Sequence, residues 1–99
     1  MIATFFHWRI REGRRDQFIA AWAAVTDALK ADGSLGSALF EGEDGTFRAL
    51  ARWPDRATRD RAFAALSLPA ASEAMHEAIA QTLQRVDCDE RDNRWTGFS

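Results

Sequence analysis

The chain has 99 residues, 46% hydrophobic and 28% charged, with a formal net charge of −2. That is one small soluble-type domain, and with no face dominated by Lys and Arg it offers no electrostatic case for nucleic acid. One cysteine, Cys88, rules out an intramolecular disulfide or a thiolate metal cluster, and no metal site is expected. No apolar run nears the roughly 18 residues that span a bilayer, and the amino terminus lacks the pattern of a secretory signal, so a cytoplasmic protein without a membrane partner is expected.

Ile2–Gly13, IATFFHWRIREG, alternates and is rich in aromatic and β-branched residues, which predicts a strand. Thr4, Phe6, Trp8 and Ile10 share one face; Ala3, Phe5, His7 and Arg9 share the other. Arg11-Glu12-Gly13 turns the strand into a helix over Arg14–Ala31. Phe18, Trp22, Val25 and Leu29 form its apolar stripe, and Gly33 is its left-handed cap.

Leu35–Glu43 and Thr46–Trp53 flank Asp44-Gly45, a strong hairpin signal. A two-residue loop there would set Glu41 opposite Arg48, Leu39 opposite Leu50 and Ser37 opposite Arg52. The other face would hold Phe40, Phe47, Ala49, Ala51 and Trp53. Pro54 ends the strand and Asp55 can cap a helix over Arg56–Leu66, with Ala62, Phe63 and Leu66 toward the core. After Ser67-Leu68-Pro69 a second helical segment is expected from about Ala70 to Leu83, with Ala71, Met75, Ala78, Ile79 and Leu83 as its stripe. Gln84–Arg91 reads as a last strand with Val86 and Cys88 facing the helices and Asp87 and Asp89 facing away. Asp92–Ser99 forms a tail in which Trp95 and Phe98 could clasp a partner subunit.

The order strand, helix, strand, strand, broken helix, strand implies an α+β, ferredoxin-like βαββαβ domain spanning residues 1–99. Its four-stranded antiparallel sheet would carry helices on one face. The bare face, with Phe5, Leu39 and Leu50 among His7, Arg9, Arg48, Arg52, Glu41, Asp87 and Asp89, would be buried by pairing two sheets as a homodimer. His7 would then pair with Asp87 or Asp89 inside that interface, and Arg48 and Arg52 with Glu41 and the last-strand aspartates.

The segment Trp8-Arg-Ile-Arg-Glu-Gly13 with Phe18 and Trp22, then Gly33–Gly36, then Ala51-Arg-Trp-Pro-Asp55 before the broken helix, resembles the antibiotic-biosynthesis monooxygenase family. The resemblance runs from the start of the chain to about Asp92. It implies a dimeric α+β barrel with a ligand pocket between sheet and helices, lined here by Phe6, Trp8, Trp22, Trp53, Phe63, Met75 and His76. It further implies cofactor-independent oxygenation of a small aromatic or quinol-type molecule whose anion passes an electron to O₂ unaided. His76 would be the base. Haem-degrading relatives place an iron-binding histidine on the same helical segment, with an asparagine on the first strand and a tryptophan on the helix before the break. Here Phe6 and Phe63 or Leu66 stand at those positions, so no cofactor is expected and haem is the minor alternative. Polyketide-quinol oxygenases use tyrosine, asparagine and tryptophan in the pocket, whereas this chain has no tyrosine and only Asn93 in its tail. A non-catalytic, dimeric small-molecule-binding or interaction domain is therefore the competing reading, with His76 a boundary histidine and the aromatic residues plain core.

Overall fold

The computed structural model describes residues 1–96, so Phe98 lies outside the described residues. Strand β1 is Ile2–Ile10, helix α1 Arg15–Lys30, β2 Gly36–Glu41, β3 Phe47–Trp53, α2 Arg56–Ala65, α3 Pro69–Ala78 and β4 Ile79–Asp89. The sheet order is β2-β3-β1-β4, antiparallel at every neighbouring pair. This is the α+β, ferredoxin-like arrangement with the helices on one face.

Helix α1 needs no side-chain cap at its start. Its hold on the sheet is Phe18, Ala21, Val25, Thr26 and Leu29, all buried on one stripe. At its end Gly33 takes φ +110°, and a Cβ there would lie 2.6 Å from Thr58 Cγ2, so both backbone shape and proximity to α2 demand glycine. Asp55 caps α2, accepting the Thr58 N–H at 2.7 Å, and Pro69 sits in the first turn of α3, where its missing N–H is no loss.

The hairpin differs from the two-residue loop expected from Asp44-Gly45. Gly42 N–H donates to Thr46 O at 2.8 Å, Gly45 N–H donates to Gly42 O at 3.0 Å, and Gly45 has φ +80°. That is a three-residue loop, a type I turn closed by a left-handed glycine. One extra loop residue moves the pairing by one and exchanges the faces of β2. Leu39 now lies opposite Ala49 and Ser37 opposite Ala51, on the helix side, while Phe40 lies opposite Arg48 on the bare side and is 49% exposed. Glu41 does not meet Arg48; it receives Arg15 of α1 in a two-pronged ion pair, with Nε–Oε2 2.9 Å and Nη2–Oε1 2.9 Å.

The last strand also departs from expectation. The chain leaves helix for strand at Ile79, although Ile79 and Leu83 continue the helical spacing of α3. The edge of β1 would otherwise leave its N–H and C=O groups unpaired, and pairing with Ile79–Asp89 satisfies them. In that pairing Asp87 lies opposite Thr4 and Cys88 opposite Ala3. Asp87 therefore faces the helices, and Cys88 is an exposed free thiol on the bare face rather than part of the core. The polar residue is tolerated inward because Arg59 of α2 meets it there.

His7 pairs with neither Asp87 nor Asp89. Its Nε2 lies 2.8 Å from Thr46 Oγ1, which itself donates to Asp44 Oδ1 at 2.7 Å, so the ring donates through Nε2. Hydrogen bonds from the Thr46 hydroxyl and then the Thr46 N–H pull the Asp44 carboxyl down to about 2. Arg48 pairs with Asp44 at 3.5 Å, and the buried Arg52 makes a two-pronged pair with Glu90 at 2.9 and 3.0 Å.

The core is divided. Ile2, Val25, Leu29, Trp53 and Ala62 form one buried cluster; Trp8, Phe18, Phe47, Ala49 and Ala78 form another. In the second, the Phe18 ring meets Trp8 and Phe47 edge-on, at 5.3 and 5.2 Å between centroids.

Candidate functional site

A cavity of about 630 Å³ takes its walls from both clusters. This is in the range of small-molecule sites, about 300–1,000 Å³. The sheet contributes Phe6, Trp8, Ala49, Ala51 and Trp53; α1 contributes Trp22, Val25 and Leu29; α2 and α3 contribute Arg59, Phe63, Met75 and His76. Alternation along β1 and β3 sends Phe6, Trp8, Phe47 and Trp53 to the helix side, and the hairpin register adds Ser37.

Each of the seven residues expected at the pocket lines this cavity, but they differ in setting. Phe6 stacks on Trp8 with centroids 4.8 Å apart and planes 13° from parallel. Trp53 is fully buried, and Phe63 tilts against it at 6.0 Å while remaining 44% exposed, so Phe63 stands at the edge. Trp22 and Met75 are half-buried and pack on the second cluster. His76 is exposed, in the last turn of α3, and its ring makes no hydrogen bond to a described residue.

The polar floor of the cavity was not foreseen. Arg59 extends from α2 with its side chain 8% exposed, placing Nη1 3.0 Å from Thr4 Oγ1 and 2.5 Å from Asp87 Oδ1; its Nε donates to Asp60 at 3.2 Å. The Thr4 hydroxyl donates to the same Asp87 oxygen at 2.9 Å. Desolvation pushes the Asp87 carboxyl up, but the hydrogen bonds from Thr4 and Arg59 and the arginine charge outweigh it and hold the carboxyl below its ordinary value. Arg85 of β4 lies over the Phe6 ring at 5.8 Å and also lines the cavity. A signal for Arg59 existed: it occupies the first slot of the Arg59, Ala62, Phe63, Leu66 stripe, where a charge needs an internal partner. No signal in β4 identified Asp87 as that partner, because the face of the strand depended on pairing.

Among the described residues no group of histidine, cysteine or acidic side chains could hold a metal ion, and no helix is long and apolar enough to cross a membrane. No protein-family model matches the sequence, and no curated relative matches it. Solved structures do. A Chloroflexus aurantiacus protein provisionally named an antibiotic biosynthesis monooxygenase superposes with a TM-score of 0.83 at 14% identity, over 97% of this chain and 98% of that one. SnoaB, a cofactor-independent oxygenase from Streptomyces nogalater, gives 0.79 at 14% identity, over 93% and 94%. Rv0793 from Mycobacterium tuberculosis gives 0.76 at 17% identity, over 93% and 96%. At such identities the likeness speaks for architecture. The chain thus has the fold of the antibiotic biosynthesis monooxygenases along nearly its whole length.

Proposed function

We propose that this protein is a cofactor-independent monooxygenase of the antibiotic-biosynthesis type, acting on a small aromatic or quinol-type molecule held between the sheet and the helices. The observation that carries the reading is the aromatic-walled cavity of about 630 Å³ in a fold shared with a cofactor-independent oxygenase. A flat ring fits walls made of Phe6, Trp8, Trp22 and Trp53. Loss of a proton from such a substrate gives an anion rich enough to reduce O₂ by one electron. Recombination of the two radicals forms a carbon–oxygen bond, the resulting peroxide takes the proton back to become a hydroperoxide, and loss of water leaves one oxygen atom in the product as a carbonyl. To His76, an exposed residue of the cavity lining, we assign the removal of the first proton.

Oxygen uptake with a hydroxyanthrone-type substrate tests this. Consumption that is absent from a heat-unfolded control and falls at least tenfold in His76→Ala is expected; uptake equal to the uncatalysed rate would end the enzymatic reading.

One observation favours a second reading, a non-catalytic binding domain for the same class of molecule. No described residue orients the His76 ring, whereas a working base is commonly held by a third group. That reading predicts binding of the aromatic without oxygen uptake. The same lack of an orienting acceptor argues against haem at His76, because a ligating histidine almost always donates its other N–H.

The bare face of the sheet points to a homodimer as the working unit. Phe5, Phe40 and Val86 lie exposed on it at 41, 49 and 39%. Trp95, 59% exposed, borders a groove on that face with Ala3, Phe5 and Leu50, in a position to contact the second subunit. The exposed thiol of Cys88 suits a reducing compartment, and we place the protein in the cytoplasm.

A further inference from the structure

The lining of the cavity contains two arginines, Arg59 and Arg85, and no carboxylate. Arg59 is the unusual one. Its Nη1 and Nε are engaged by Thr4, Asp87 and Asp60, which fixes the plane of the guanidinium. Its Nη2 meets no acceptor among the described residues, and it is not sealed away from open space either. A guanidinium has five N–H donors, and this one, on a residue that lines the cavity, keeps the two of Nη2 without an acceptor among the described residues. Arg85 makes no ion pair or hydrogen bond with a described residue and is held over the Phe6 ring. Because Asp87 and Asp60 balance its charge, Arg59 offers the cavity the N–H donors of a fixed, nine-tenths-buried guanidinium. These gain far more from an anion than from a neutral oxygen, and Arg85 adds a positive charge that no described residue pairs.

We propose that the cavity takes its aromatic ligand as an anion, with an acidic oxygen on Arg59 Nη2 and the ring against Phe6 and Trp8. The ligand class is an aromatic acid: an ionised ring hydroxyl or a ring carboxylate. This rests on the helix–sheet cavity being the binding site. It makes Arg59 the specificity residue and Asp87 and Thr4 the groups that position it.

The test pairs two anions with neutral counterparts of nearly the same shape. 2-Hydroxy-1,4-naphthoquinone, ionised at neutral pH, is compared with its 2-methoxy ether, and 1-naphthoate with its methyl ester, by tryptophan quenching and calorimetry. The anion of at least one pair binds roughly 10- to 100-fold more tightly than its neutral partner, as expected for a charge-assisted hydrogen bond to a buried guanidinium. The pair that shows the preference names the acidic group. Arg59→Met abolishes the preference while leaving the neutral probe bound. Because that variant strands Asp87, Arg59→Met/Asp87→Asn is made as well, with circular dichroism melting to show that it folds. Equal affinity for anion and neutral probe, no binding of any probe, or a preference that survives in the folded double variant overturns the proposal. Preferential anion binding without oxygen uptake would refute the oxygenase reading and leave the anion site standing.

Discussion

Replacing Asp87 by alanine should be among the most damaging single changes outside the aromatic core. The change leaves the Arg59 guanidinium, 8% exposed, without its main counter-charge and deprives the Thr4 hydroxyl of its acceptor. Breaking a fully buried pair costs about 3–5 kcal/mol. Asp87 is 29% exposed, so water compensates part of this and the loss should be about 2–3 kcal/mol. For a chain of this length that lowers the melting midpoint by roughly 10–20 °C. Asp87→Asn keeps an acceptor and should lose about half as much. Urea titration at one fixed protein concentration measures both, and a double-mutant cycle with Arg59→Met isolates the coupling. Because the folded carboxyl titrates below its ordinary value, the unfolded chain binds the proton more readily. The stabilisation is thus complete above the unfolded value of about 3.9 and disappears as the pH falls through the lower folded one. The difference between wild type and Asp87→Asn should narrow toward acid. A loss within 0.5 kcal/mol, or a difference that grows toward acid, would show that Arg59 is solvated without Asp87.

Phe18→Ala, at a fully buried ring with two edge-on aromatic neighbours, should cost about 4–5 kcal/mol in the same titration. Gly45→Ala should cost about 1–2 kcal/mol purely through backbone conformation, since a Cβ there meets nothing within 4 Å; Gly45→Asn should be milder. In a pH titration followed by NMR, the Asp44 carboxyl should titrate at about 2, and Thr46→Val should return it toward the ordinary aspartate range. Light scattering should find a dimer for the wild type and a monomer for Phe40→Glu, whose fold should stay intact because the residue is half exposed.

The elements and their order were legible because each carries a local signal: alternation in β1 and β3, the stripe of α1, and Asp55 at the start of α2. The faces of β2 and β4 were not. A single residue in the loop between Gly42 and Thr46 decides whether Leu39 or Phe40 points inward, and either would satisfy an apolar count. In β4 pattern alone favours the apolar Val86 and Cys88 as the inward pair, but the strand is held by β1, and an arginine from another element compensates the inward Asp87. That dependence is invisible to any pattern within β4. The aromatic residues placed at the cavity were readable from β1, α1 and β3. The polar floor was not, since Thr4, Arg59 and Asp87 acquire meaning only as a trio.

The divided core has a consequence for how the molecule opens. Helix α1 and strands β1 and β3 place buried residues in both clusters, Phe18, Trp8, Phe47 and Ala49 in one and Val25, Leu29, Ile2 and Trp53 in the other, whereas α2 reaches one alone. Helix α2 adds a single apolar residue, Ala62, to its buried cluster, and its other buried side chain is Arg59. Amide exchange should therefore show α2 opening at a lower free energy than α1, as a sub-global unit that swings Phe63 away and admits a ligand. A ring seated between the clusters would then join them. Protection would rise most in α2, although most of the cavity wall belongs to other elements.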